Sequence, residues 1–218
     1  MRTREQRLAR LAEARLYCCT DAHGTIEEFE AFVETLFASG VDIVQFRDKA
    51  MEPRQAMAYI AVLRDSAMRH GALSCVNDRA DLAALTDVDI VHVGQDDLTP
   101  GQARSIVGES MLIGRSTHAI EESVAAAADA DVDYFAVGPV WPTPTKPGRH
   151  APGLELVRAV AEHSIRKPWF AIGGIDAARM GDVLAAGAER VVVVRALTAA
   201  ESPSEAAHEL REALSARP

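Results

Sequence analysis

Cysteine is scarce in this chain of 218 residues: Cys18, Cys19 and Cys75 are all it has. The count is odd, two of the three are adjacent, and no metal-ligand spacing appears, so neither a disulfide framework nor a zinc motif is offered. A reducing, cytoplasmic setting fits that usage. Positive charge is also short, with 23 Lys and Arg against 32 Asp and Glu and a formal net charge of -9. General nucleic-acid binding is disfavoured on that balance. Any anionic ligand must be held by a local basic cluster working against the global field. Long apolar runs are missing as well. "VAAAADADVDYFAV" comes closest and is broken by aspartates, so nothing reads as a membrane span. The opening "MRTREQRLARLAEARL" is charged throughout and lacks the apolar centre of a signal peptide. Its period reads as a helical extension over residues 1–15.

What the chain does have is alternation. Short apolar, β-branched-rich runs occur at 16–20, 41–46, 73–77, 89–93, 111–114, 133–138, 168–173 and 190–194. Segments with helix punctuation lie between them. Thr25 and Glu28 have capping-box spacing, as do Ser202 and Glu205, and Pro53, Pro100 and Pro203 sit at helix starts. Strand–helix alternation means parallel strands joined by right-handed crossovers. Eight such units close naturally into a (β/α)8 TIM barrel, here read as a single α/β domain over residues 1–218. A doubly wound open sheet is the competitor, but the turn after the first run reads "TDAHGT", not GxGxxG.

In such barrels chemistry gathers at the C-terminal strand ends, and polar residues cluster there. In "VQFRDK", Gln45, Arg47 and Lys49 share parity and face one side, while Val44 and Phe46 face the helices. Two cations beside an amide suit a phosphate or diphosphate. Pairing of Arg47 and Lys49 with Asp48 and Glu52 on the surface is the alternative. Asp78 and Asp97 follow neighbouring strands and could share Mg²⁺ with a phosphate-bearing ligand, or Asp78 could cap a helix while Asp97 is solvated in its loop. Ser116 and Thr117 are placed to cap the next helix. His118 and His92 read as surface histidines without an evident partner. Gly173-Gly174 allows a ligand close to the backbone, with Asp176 as N-cap of the following helix. The Pro- and Gly-rich segment 138–153 is long for a strand–helix connection and carries Lys146, Thr143 and Thr145. It reads as a lid over a reactive intermediate, with Gly148 and Gly153 as hinges.

"QFRDK", "NDRADLA", "VHVGQDDL", "IGRSTH", "VGPVWPTPTKPG", "AIGGI" and "VVVVRAL" stand in an order and spacing that resembles the thiamine-phosphate synthase family, from Leu16 to the C-terminus. That resemblance implies a transferase that couples hydroxymethylpyrimidine diphosphate to hydroxyethylthiazole phosphate, with Mg²⁺ as cofactor and small molecules, not membranes, as partners. By the same resemblance Gln45, Phe46, Arg47, Asp48, Lys49, Asn77, Ser116 and Lys146 look like pyrimidine-diphosphate contacts. Arg47, Lys49, Ser116 and Lys146 would serve the chemical step. Asp78 and Asp97 look like the metal ligands. Thr143, Pro144, Thr145, Gly174, Val194 and Arg195 look like thiazole-phosphate contacts, although family members typically carry serine where this chain has Arg195. A barrel that only aromatises the thiazole would not need the acid pair or the cations, and a non-catalytic sensor of the precursors would bind without turnover. A sugar-phosphate isomerase would need a clear acid/base pair.

Overall fold

The computed structural model describes residues 2–143 and 151–216. Among them, eight parallel strands pair in chain order and close on themselves: β1 (Leu16–Thr20), β2 (Ile43–Phe46), β3 (Leu73–Asn77), β4 (Ile90–Val93), β5 (Leu112–Thr117), β6 (Tyr134–Val137), β7 (Trp169–Ile172) and β8 (Val191–Val193). The barrel expected from the alternation is therefore present. Only β5 runs notably beyond its expected end, to Thr117. Helix α1 (Arg4–Glu13) precedes the barrel, and α2 (Ile26–Ala38), α3 (Pro53–Arg69), α4 (Ala80–Thr86), α5 (Pro100–Val107), α6 (Ile120–Ala128), α7 (Gly153–Glu162) and α8 (Ala177–Ala185) follow successive strands. After β8 come the short α9 (Arg195–Thr198) and α10 (Pro203–Ser215). None of the helices among the described residues is long and apolar enough to cross a membrane.

The helix punctuation works as written. Thr25 accepts from the Glu28 N–H while Glu28 returns a bond to the Thr25 backbone, and Ser202 accepts from the Glu205 N–H. Parity along each strand sorts side chains into two apolar groups. Ile43, Leu73, Ile90 and Leu112 point into the barrel, whereas Val44, Val76, Val91 and Ile113 pack against the helices.

The N-terminal end of the barrel is closed by α1, whose Leu11 packs into the interior group. A repeated device fastens this end. Val41-Asp42-Ile43, Val88-Asp89-Ile90 and Val132-Asp133-Tyr134 place an aspartate just before β2, β4 and β6. Each carboxylate accepts a backbone N–H at the start of the preceding strand: Asp42 from Leu16, Asp89 from Ser74 and Asp133 from Ile113. Each also holds arginine, with Asp42 on Arg211 and Asp133 on Arg4 and Arg104. Asp89 holds Arg2 at 2.8 Å and Arg7 at 3.1 Å. Arg7 is 1% exposed and also reaches Asp87 and the Ser110 carbonyl.

A charge buried so fully is tolerated only while its partners remain, and breaking such a pair costs about 3–5 kcal/mol. Arg7→Ala should therefore lower the unfolding free energy by about that amount in urea titration. Arg10→Ala, which removes an exposed contact 3.9 Å from Glu13, should change it by less than about 1 kcal/mol. Equal effects would show that α1 is not anchored through Arg7.

Candidate active site

The C-terminal rim divides into two halves. The first spans β2 to β4. Phe46 turns outward onto Phe29 and Tyr59, as its parity requires, and Gln45 turns inward, where it is buried. Asp48 closes the turn after β2 by accepting the N–H groups of Ala50 and Met51. Lys49 reaches across to the next strand and pairs with Asp78 at 2.8 Å, so the surface pairing of Lys49 with Asp48 or Glu52 is not what forms. The Arg47 guanidinium makes no hydrogen bond or ion pair among the described residues. Lys49, Asn77 and Asp78, with Phe46 and Asp48, line one cavity of about 220 Å³.

Asp78 does not cap a helix. Its φ of +61° puts it in the left-handed region, its N–H is held by the His92 carbonyl at 2.8 Å, and Arg79 occupies the cap position of α4. Its carboxyl is raised from its ordinary value by burial, with the neighbouring Asp97 carboxyl raising it further and Lys49 opposing both. Asp97 is turned back into the rim by accepting the Gly94 N–H at 2.9 Å. Two carboxyls held this close at a half-buried site repel each other and suit a divalent cation. No group of three or more metal-binding side chains exists among the described residues. As two carboxyls, Asp78 and Asp97 could hold a hard cation that takes its other oxygens from water and ligand.

The second half spans β6 to β8. A cavity of about 120 Å³ gathers Ser116, Thr143, Gly174, Val194 and Arg195, joined by Arg179. Its wall depends on glycine. The segment after β6 crosses the turn after β7 with Val140 N–H on the Ile172 carbonyl and Trp141 N–H on the Gly173 carbonyl. A Cβ at Gly138 would lie 2.1 Å from the Ile172 oxygen, and one at Gly173 would lie 2.5 Å from Pro139. At Gly174, φ is +68° and a Cβ would meet that of Trp141 at 2.8 Å. Arg179, in the first turn of α8, ties the crossing together: it donates to the Gly174 carbonyl at 2.6 Å and lies 5.0 Å over the Trp141 ring. Asp176 caps α8 as expected. Arg195 is exposed and makes no side-chain hydrogen bond or ion pair among the described residues. Pro144, Thr145, Lys146 and Gly148, with the body of the expected lid, lie outside the described residues.

Between the halves stands Ser116, on β5 and not at a helix start. Neither Ser116 nor Thr117 caps α6. Both remain in β5, and the cap position is Ala119, without a side-chain bond. Thr117 turns outward to Ser123 and the Ala136 carbonyl. Ser116 turns inward, 3.0 Å from His92 Nε2. His92 is not a surface histidine. It is 7% exposed, and its Nδ1 lies 3.0 Å from the Tyr134 hydroxyl. The missed signal was parity, since His92 shares a face with the inward Ile90. His118 is fixed too, its Nδ1 against the Gly138 carbonyl and its N–H on Glu122. Arg179 and Trp141 left no sequence signal, because their meeting depends on how two loops cross.

Comparison with known proteins agrees with this architecture. The family described as thiamine monophosphate synthase matches residues 16–197. A thiamine-phosphate synthase of Streptomyces avermitilis is 54% identical over 205 residues, 94% of this chain and 95% of that protein. One from Mycobacterium leprae is 55% identical over 219 residues, 95% of this chain and 93% of the relative. Among solved structures, a thiamine phosphate pyrophosphorylase from Pyrococcus furiosus superposes with a TM-score of 0.83 at 30% identity, covering 94% of this chain and 97% of its own.

The glycine crossing has a measurable consequence. Gly174→Ala must place a side chain in a left-handed backbone and against Trp141, at a cost of about 1–3 kcal/mol. Urea unfolding should show that loss, and tryptophan fluorescence should change in the folded state as Arg179 is displaced. Unchanged stability and emission would mean that the crossing has slack which the geometry does not show.

Proposed function

The chain belongs to the thiamine-phosphate synthase family and is thus a transferase, and we propose that it joins hydroxymethylpyrimidine diphosphate to hydroxyethylthiazole phosphate, forming thiamine phosphate and diphosphate. The observation that carries this reading is the division of the rim. One half offers Arg47, Lys49, Asn77 and the Asp78–Asp97 pair. The other offers a glycine-walled cavity lined by Arg195 and Ser116. Two anionic substrates need two such halves, and a single-substrate isomerase needs only one.

In this reading the carbon–oxygen bond between the pyrimidine methylene and the diphosphate breaks, and its electron pair leaves with diphosphate. The thiazole nitrogen then supplies the pair for the new carbon–nitrogen bond. No proton has to move between these atoms, so no general base is required. Arg47, Lys49 and Lys146 meet negative charge as it develops on the leaving group, which is where fixed cations accelerate a reaction most. Asp78 and Asp97 would hold Mg²⁺, which when bound supplies further charge neutralisation to diphosphate. Thr143, Pro144, Thr145, Gly174, Val194 and Arg195 hold the thiazole phosphate in line, partly through backbone N–H groups. The three cysteines are buried thiols, in keeping with a cytoplasmic enzyme.

The test is incubation of both precursors with Mg²⁺ and detection of thiamine phosphate; binding of the precursors without product would leave a sensor. Asp97→Asn should raise the Mg²⁺ concentration needed for half-maximal rate and slow diphosphate release. An Asp78→Ala, Asp97→Ala double variant with full activity at limiting Mg²⁺ would remove the metal assignment. Arg195→Ser should stay active but show a higher KM for hydroxyethylthiazole phosphate, most visibly at low salt, where an exposed charge is least screened. A KM unchanged across ionic strengths would leave the phosphate to the backbone alone.

A further inference from the structure

The barrel interior contains a continuous line of polar groups that ends on Ser116, and its members Tyr17, Tyr134 and His92 have no part in the reaction described above. Gln45 Nε2 lies 2.6 Å from the Tyr17 hydroxyl, and Tyr17 lies 3.1 Å from the Tyr134 hydroxyl. Tyr134 is 3.0 Å from His92 Nδ1, and His92 Nε2 is 3.0 Å from Ser116 Oγ. The line therefore crosses the interior from β2 through β1, β6 and β4 to β5. The tyrosines are fully enclosed, and Gln45, His92 and Ser116 are buried. Burial, and secondarily the nearby thiol of Cys75, raises both phenols well above their ordinary range, so both remain O–H groups. Gly114 makes the Tyr134–His92 contact possible, because a Cβ there would lie 2.3 Å from the tyrosine ring and 2.5 Å from His92 Nδ1.

An inventory of hydrogens gives this line a direction. The Gln45 amide nitrogen can only donate, and its oxygen is already satisfied by the Cys19 thiol at 3.2 Å. Tyr17 must then accept from Gln45 and place its single hydrogen elsewhere. Tyr134 oxygen at 3.1 Å and Cys75 sulfur at 3.2 Å are within reach, and oxygen is the stronger acceptor. Tyr134, having accepted, donates to His92 Nδ1. A neutral imidazole that accepts at Nδ1 carries its hydrogen on Nε2 and donates to Ser116 Oγ. With its oxygen already engaged as acceptor, Ser116 has its own hydrogen left for the cavity it lines.

We propose that the Gln45–Tyr17–Tyr134–His92 line is a positioning device that fixes His92 in the Nε2–H form and makes Ser116 a hydrogen-bond donor to the bound pyrimidine diphosphate. The proposal rests on the reading that Ser116 faces that substrate. His92 and Tyr134 act through Ser116 and touch no reacting atom.

Two measurements separate the parts. Nitrogen NMR of the histidine rings in the intact wild-type enzyme should show His92 protonated at Nε2 and bare at Nδ1, and this needs no variant to fold. The opposite tautomer overturns the direction of the line. Tyr134→Phe removes the donor into Nδ1, so the ring should become a mixture of tautomers. Its kcat should fall about tenfold, the worth of one net hydrogen bond, while KM for hydroxyethylthiazole phosphate stays put. His92→Gln, which keeps an amide donor within reach of Ser116, should retain more kcat than His92→Ala. Wild-type kcat in Tyr134→Phe, or equal loss in the two His92 variants, overturns the positioning role. Full kcat in Ser116→Ala would instead refute the placement of Ser116 on the substrate, and with it the use of the line, whatever tautomer His92 shows.

Discussion

An eight-stranded barrel has an interior just wide enough for side chains to fill, and every inward position must be spent on filling it. That constraint governs this molecule. Toward the N-terminal end the filling is aliphatic, from Ile43, Leu73, Ile90 and Leu112, with Leu11 of the leading helix closing the opening. Tyr17 and Tyr134 pack among them, and Gln45 and His92 occupy the next inward positions along β2 and β4. Groups enclosed this deeply must satisfy one another, because an orphaned donor or acceptor there costs about 1–3 kcal/mol. The floor of the active site is consequently stiff. Ser116 inherits that stiffness, held through its side chain by His92 and through its carbonyl by Gln95.

The same economy governs charge. The chain carries a net charge of -9, yet its substrates in the proposed reaction are anions. Many of its acids are committed at the far end, where Asp42, Asp89 and Asp133 clasp strand starts and arginines. Others bind helix termini, as Glu28 and Asp176 do. At the C-terminal rim Asp78 and Asp97 are brought together against their mutual repulsion. Stability and recognition thus occupy opposite ends of the barrel, a separation that this architecture permits because its strands all run one way.

Much of this was legible in the sequence, and the failures have physical causes. The alternation of apolar runs located the strands because burial on both faces leaves a signal in every residue. Parity placed Gln45 inward and Phe46 outward, and spacing placed Thr25, Ser202 and Asp176 at helix starts. Ser116 and Thr117 misled because hydroxyl residues before a helix resemble caps, and only the length of β5 decides between cap and strand. His92 sat in plain view on an inward position, but a lone histidine announces its role only when Tyr134 and Ser116 arrive beside it from β6 and β5. The Val-Asp-apolar triplets at 41–43, 88–90 and 132–134 were equally visible, and their shared task became apparent once neighbouring strands were paired. Arg179 on Trp141 was out of reach altogether, since its contact arises from tertiary crossing of two loops.

That crossing also bears on redesign of the pocket. Segments 138–141 and 172–174 touch backbone to backbone, with no room for a side chain at Gly138 or Gly173. They are in effect one part made from two stretches of chain. Transplanting the long connection after β6 from a relative, in order to admit a larger ring or a different anion, would meet the recipient's own turn after β7 at sub-van-der-Waals distances unless both stretches travel together. The exchangeable cassette in this scaffold is discontinuous. Its root, where 138–141 meets 172–174, is as constrained as any strand of the barrel.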